Sequence, residues 1–159
     1  MYMDVASNLS NSKAMSTINI TRITSADSAT AAAISLLLKQ LSPSQNFVFT
    51  ERELTELISN PASAIFALYV DNQIVGMITL GSYLSPTGRK VWIEDVVVDS
   101  SARGKGYGDI LVNQAINHAR TLTPCTLMLT SNPSRIAANE LYRTRGFEPK
   151  HTNVYKMQL

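Results

Sequence analysis

Ile18, Ile20 and Ile23 stand between polar residues, the alternation of a half-buried strand, and open the patterned part of the chain. The period then becomes helical. Ile34, Leu37, Leu38 and Leu41 fall at i, i+3, i+4 and i+7, one apolar stripe, with Ser25 or Asp27 as candidate N-cap and Ser42-Pro43 as the stop. Thr50 and Glu53 have the spacing of a capping box ahead of Leu54, Leu57 and Ile58, and Asn60-Pro61 ends that second helix. Extended patterning follows in SAIFALYV (63–70), QIVGMITLGSY (73–83) and KVWIEDVVVD (90–99), parted by Asp71-Asn72 and by an SPTGR loop. Three strands in succession predict an antiparallel meander.

Beyond it, a glycine-rich segment precedes a helix over 107–121, where Leu111, Ala115 and Ala119 recur one turn apart. CTLMLT (125–130) reads as a short buried strand. A helix over 135–144 would be capped by Asn132 or Ser134 and end at Gly146, and VYKMQ (154–158) reads as a last strand. Residues 1–16, rich in Ser and Asn and without period, read as a mobile tail, leaving 17–159 as a single domain.

Composition narrows the classes. With 45% hydrophobic and 16% charged residues the chain folds, and one cysteine, Cys125, permits no internal disulfide. No Cys/His cluster has ligand spacing, so no metal is expected. The start of the chain lacks a basic then apolar leader and no apolar run is long enough to span a bilayer, which predicts a cytoplasmic protein without a membrane partner. Net charge is +2, but residues 1–99 carry six Lys/Arg against nine Asp/Glu, whereas 100–159 carry eight against three. Phosphates bound by the C-terminal part and a cation bound by the first part fit that asymmetry, as does a chance spread of solvated charge. Nucleic acid fits less well, because no stacking aromatics are interleaved with the basic residues.

Arg103, Gly104, Lys105, Gly106, Tyr107 and Gly108 lie between a strand and a helix start. Glycines there let the backbone approach a ligand, and free N–H groups with the positive helix end make an anion site. The Walker spacing is absent, and a meander does not supply the strand-turn-helix unit of a dinucleotide fold. With the preceding Val96, Val97, Val98 and Asp99, the segment closely resembles the acetyl-CoA motif of the GNAT superfamily of N-acetyltransferases, [RQ]-x-x-G-x-[GA] after a hydrophobic strand. Ala138, Leu141, Tyr142, Gly146 and Phe147 resemble its second motif, A-x-x-L-Y-x-x-x-G-F.

The resemblance spans about residues 18–159. It implies an α/β (α+β) GNAT fold, a mixed and mostly antiparallel sheet of six to seven strands with flanking helices, splayed between the fourth and fifth strands. It implies acetyl-CoA as acetyl donor, its pantetheine on the backbone of Val96, Val97 and Val98 and its pyrophosphate on the N–H groups of residues 103–108. The side chains of Arg103 and Lys105 would add phosphate contacts or point to solvent. Tyr142 would be the general acid for the departing thiolate, its other reading being a core aromatic, and a backbone N–H near Val96 or Val97 would hold the developing oxyanion.

An amine attacks only when unprotonated, and alkylamines titrate near ~10, so a base or a desolvated site is required. Alternation places Glu94 with Trp92 and Val96 on one face of its strand and Asp95 with Ile93 and Val97 on the other, so one carboxylate faces the acceptor. Glu94 is the candidate base, with a surface ion pair as its other reading, and Asp95 is the reserve. Both are candidates for acceptor binding.

The chain also departs from the family. Arg135 stands seven residues before Tyr142, where many members have an Asn that holds pantetheine, leaving Asn132 or Asn139 as substitutes. Thr130 replaces the Glu common at the fifth strand's end in ribosomal-protein acetyltransferases. Residues 93–98 resemble the corresponding strand of glucosamine-6-phosphate and polyamine acetyltransferases, whereas the C-terminal third is more similar to small bacterial acetyltransferases of diverse acceptors. A small-molecule primary amine is the expected acceptor, with a protein lysine or N-terminus second, and a non-catalytic acetyl-CoA-binding module the reading from another class. Family members are often dimers, so a homodimer is an expectation. Cys125 is expected in the core, His118 at the surface or beside a helix dipole, and Trp92, Phe66, Tyr69 and Tyr83 in packing or lining an acceptor pocket.

Overall fold

A computed structural model describes residues 16–44 and 48–159. Most of the predicted tail therefore lies outside the described residues. Five strands form one sheet in the order β1-β2-β3-β4-β5: β1 (Ile18–Arg22), β2 (Ser63–Val70), β3 (Gln73–Ser85), β4 (Gly88–Val98) and β5 (Cys125–Leu129). The first three pairings are antiparallel and β4 pairs with β5 in parallel. The predicted meander is β2-β3-β4. Its first turn places Asp71 and Asn72 at φ of 48° and 64°, the left-handed pair that matches strand twist in a two-residue hairpin.

Helices cover both faces. On one, α1 (Ser28–Leu41) and α2 (Glu51–Ser59) bury Ile34, Leu37 and Leu54 against Ala67, Met77 and Val97. On the other, α3 (Tyr107–Arg120) buries Leu111, Ala115 and Ala119 against Leu68, Ile78 and Val91, and α4 (Ile136–Thr144) follows β5. The three apolar positions read for α3 are its buried stripe. Asp27, rather than Ser25, caps α1, accepting from Thr30 N at 2.7 Å.

The capping box forms as its spacing predicts: Glu53 N donates to Thr50 Oγ1 at 3.3 Å and Thr50 N to Glu53 Oε2 at 2.7 Å. Thr50→Ala leaves the Glu53 N–H without its acceptor. The expected cost is about 1 kcal/mol of unfolding free energy, read from the denaturant midpoint at unchanged slope.

Two expectations are corrected. Among the described residues the sheet has five strands, not six to seven, because residues 154–158 form no strand. Every residue from Glu148 to Leu159 is exposed, so the alternation finds no sheet face on which to bury its apolar side. Neither Asn132 nor Ser134 caps α4. Asn132 Oδ1 instead accepts from Ser134 N at 2.9 Å and Ser134 Oγ at 2.8 Å, closing an Asx turn before the helix, and Arg135 occupies the cap with no side-chain bond.

Candidate functional site

The site begins where β4 and β5 part. Their parallel pairing runs from Arg89 with Cys125 to Ile93 with Leu129 and stops there, so β4 from Glu94 onward has no β5 partner. On its other edge β4 stays paired with β3, but Thr79 faces Glu94 and Met77 faces Val97. Two steps along β3 oppose three along β4, which is a bulge, and Asp95 takes it up at φ 51°. The bulge reverses the strand's faces. Val91 and Ile93 point into the α3-side core before it, Val96 and Val98 pack against that core after it, and Val97 points to the α1 side.

Strict alternation, which put Ile93, Asp95 and Val97 on one face, therefore fails here. Its consequence fails too, since Glu94 and Asp95 line the same cavity. That cavity, of about 460 Å³, is bounded by Leu41 and Ser42 from α1, Val96 from β4, Thr130 and Ser131 beyond β5, and Arg135 and Tyr142 from the α4 region. Burial pushes the Glu94 carboxyl above its usual range, and repulsion from Asp95 adds to the shift. Burial raises Asp95 as well, opposed by a hydrogen bond from the Thr79 side chain. Among the described residues neither carboxylate has an ion-pair partner.

Past β4 a 3-10 turn, Ser100–Ala102, leads to the glycine-rich loop. Gly104 and Gly106 stand at φ of 78° and 79°, a region that β-carbons disfavour, and Gly106 is the N-cap of α3 with no side-chain cap. Among the described residues the backbone N–H groups of residues 103–108 have no hydrogen-bond acceptor. They form an uncapped helix start. Asp109, in the first turn, would place a negative charge beside it, but Arg145 takes that carboxylate in a bidentate ion pair and ties α4 to α3. Arg103 is exposed, and its Nε donates to Val98 O at 3.1 Å. Lys105 is exposed, and the Tyr107 ring is buried in the core, which leaves only its backbone to a ligand.

Tyr142 is fixed by the end of its helix. Phe147 N donates to Tyr142 O at 3.0 Å and Gly146 N to Arg143 O at 3.0 Å, with Gly146 at φ 86°, a Schellman cap. The apolar contact typical of that cap is here the Phe147 ring on the Tyr142 ring, edge to face at 6.0 Å between centroids. The Gly-Phe of the second motif thus has a mechanical reason: it clamps the tyrosine. Tyr142 is 7% exposed, its hydroxyl bonds no described residue, and burial raises its pKa above that of a free phenol.

Of the residues singled out in the sequence, Glu94, Asp95, Val96 and Tyr142 meet in the cavity together with Thr130, Asn132, Ser134 and Arg135, and the loop follows the open edge of β4. Asn139 stands apart. Its Nδ2 donates to Asn132 O at 2.9 Å and Arg135 O at 3.0 Å, so both candidate asparagines hold the turn before α4. Cys125 is half-buried, its thiol 3.4 Å from Ala119 O, and His118, half-buried in the last turn of α3, packs edge-on against Phe66 at 5.4 Å. Phe66 is core, Tyr69 packs on the α1 side and Tyr83 is 52% exposed. Sequence reasoning missed two residues. Ser131 Oγ is buried beside the cavity with no partner among the described residues, and Gln40 reaches from α1 to the root of the loop. Ser131 gave no signal; Gln40, polar on the apolar flank of its helix, gave a faint one.

Residues 32–147 match the model of the acetyltransferase (GNAT) family, and the chain belongs to it. Solved structures agree in fold. A putative acetyltransferase from Agrobacterium tumefaciens str. C58 superposes with TM-score 0.75 at 23% identity, over 88% of this chain and 99% of that one. An aminoglycoside acetyltransferase from an uncultured soil metagenomic sample, in complex with sisomicin, gives TM-score 0.74 at 19% identity, over 89% and 97%. A predicted acetyltransferase from Clostridium acetobutylicum, with acetyl-CoA, gives 0.69 at 17%, over 89% and 96%.

Proposed function

We propose that the protein transfers acetyl from acetyl-CoA to a primary amine of a small, cationic molecule by direct attack with both bound. The observation that carries this is one cavity lined by Glu94, Asp95 and Tyr142 at the point where β4 leaves β5. The residues present suit the donor: unbonded N–H groups at 103–108 and an uncapped helix start fit a pyrophosphate, and the partnerless edge of β4 at Val96, Val97 and Val98 fits an amide-bearing arm laid along it as an added strand. When bound, acetyl-CoA supplies an activated acetyl thioester.

The protein's own groups do the rest. Glu94 takes the proton from the incoming ammonium, directly or through water, its raised pKa bringing it nearer to that of the amine. Asp95 lines the same cavity, and two carboxylates with no ion-pair partner among the described residues favour a ligand that brings more than one cationic group. Tyr142 gives its proton toward the departing thiolate. The aminoglycoside acetyltransferase among the solved structures acts on acceptors of that polycationic kind.

Acetyl-CoA is expected to raise the melting temperature, a ligand at 100 times its Kd contributing about 2.7 kcal/mol. Thiol release should appear with diamines, aminosugars or aminoglycosides and not with neutral or anionic amines. Stabilisation without turnover on any amine would leave a binding module, and a preference for acidic peptides would remove the small-cation assignment.

A further inference from the structure

The geometry points to Gln40 as a positioning residue that sets affinity for acetyl-CoA from the opposite face of the sheet, by fixing the root of the glycine-rich loop. This rests on the acetyltransferase reading given above.

Gln40 lies in the last turn of α1, and its side chain crosses to the end of β4. Its Nε2 donates to Asp99 Oδ2 at 2.7 Å while its Oε1 accepts from Ser100 N at 2.8 Å. Asp99 caps the 3-10 turn with its other oxygen, which accepts from Ser101 N at 2.9 Å and Ser101 Oγ at 2.5 Å. The Asp99 backbone N is in turn held by Val75 O at 2.8 Å. One amide therefore closes a junction between residues 59 and 60 positions apart, at the point where the chain leaves the sheet for the loop.

Only an amide fits. A donor must meet the Asp99 carboxylate and an acceptor the Ser100 N–H, and Gln presents both from one planar group. Leu would leave a charged acceptor and an N–H unpaired, and Glu would set a second carboxylate against Asp99. Since the pyrophosphate site is backbone, its geometry depends on where residues 103–108 begin, and that is what Gln40 holds. Gln40 does not line the acceptor cavity. Its neighbours Leu41 and Ser42 line the acceptor cavity, so the same helix end sits against both halves of the site.

The test is acetyl-CoA titration by calorimetry of the wild type, Gln40→Glu and Gln40→Leu between about pH 5 and 8. The charged groups facing the new carboxylate are Asp99 and, beyond it, Arg103, which also acts on Asp99. At neutral pH both variants should bind about 10-fold or more weakly, the loss of one charge-assisted bond and one neutral bond. As pH falls, protonation of the introduced Glu restores a donor toward Asp99. Gln40→Glu should then regain most of the affinity relative to wild type at the same pH, while Gln40→Leu stays weak. Recovery in one folded variant separates positioning from general damage. Wild-type affinity in Gln40→Glu at neutral pH, or an equal and pH-independent loss in both variants, would overturn the assignment of Gln40 alone. Wild type that binds no acetyl-CoA would overturn the acetyltransferase reading together with it.

Discussion

Tyr142→Phe is expected to lower kcat by about 10²-fold while leaving acetyl-CoA affinity and melting temperature almost unchanged, because only a general acid is removed. The ring carries the packing: it is 7% exposed and meets Phe147 edge to face, and Phe reproduces both features. The hydroxyl bonds no described residue, so its loss leaves no buried partner unsatisfied. Burial raises the phenol's pKa, so it is the protonated, donating form that stands in the cavity at neutral pH. A free thiol titrates near ~8.5, below a phenol, which makes full transfer uphill and a strong hydrogen bond to the developing thiolate the larger part of the effect. Steady-state kinetics at saturating acceptor, beside a binding titration, read this directly. A variant with wild-type kcat would reduce Tyr142 to a packing residue, and one that also loses affinity would make its hydroxyl a ligand contact.

That tyrosine shows why part of the site could be read from the sequence. Its place in the motif is inseparable from Gly146 and Phe147, and the structure gives the cause: a left-handed glycine and an aromatic residue close the helix end and press on the ring. Local chemistry of this kind is written in adjacent residues. The same holds for the Thr50 and Glu53 box, for the Asp71-Asn72 turn and for the glycines of the loop, each fixed by spacing within a few positions.

What the sequence hid depends on register or on distant partners. Alternation along β4 was legible, but nothing in Ile93-Glu94-Asp95-Val96 shows that Asp95 turns left-handed and brings both carboxylates to one side. That needs β3, where Met77 and Thr79 take up one position fewer than β4 offers. The Gln40 bridge to Asp99 and Ser100 joins residues some sixty positions apart, beyond any pattern local to either. The alternation of residues 154–158 misled for the opposite reason. It states a preference for a sheet, and the chain there has no sheet face beside it.

In the proposed mechanism the two carboxylates that the bulge brings to one cavity have separable roles, and substitution tells them apart by pH. A base acts only as the carboxylate, so kcat/KM rises as pH increases through the Glu94 pKa. That pKa lies above the ordinary 4.5, first from burial and then from the Asp95 charge. Glu94→Gln is expected to cost about 10²-fold or more in kcat/KM and to erase this acidic limb. Asp95→Asn removes a negative neighbour, lowers the Glu94 pKa and moves the limb to lower pH, while weakening binding of a polycationic acceptor through KM. Stability shifts in the opposite sense to activity. A carboxyl whose pKa is raised by folding binds its proton more tightly in the native state, so stability is lost as pH climbs from the unfolded pKa through the folded one. At neutral pH Glu94→Gln should therefore melt above wild type, and below the ordinary carboxylate range the two should converge. An acidic limb that stays in place in Asp95→Asn would mean that the two groups do not sense each other, and a limb that survives Glu94→Gln would give the base to another group.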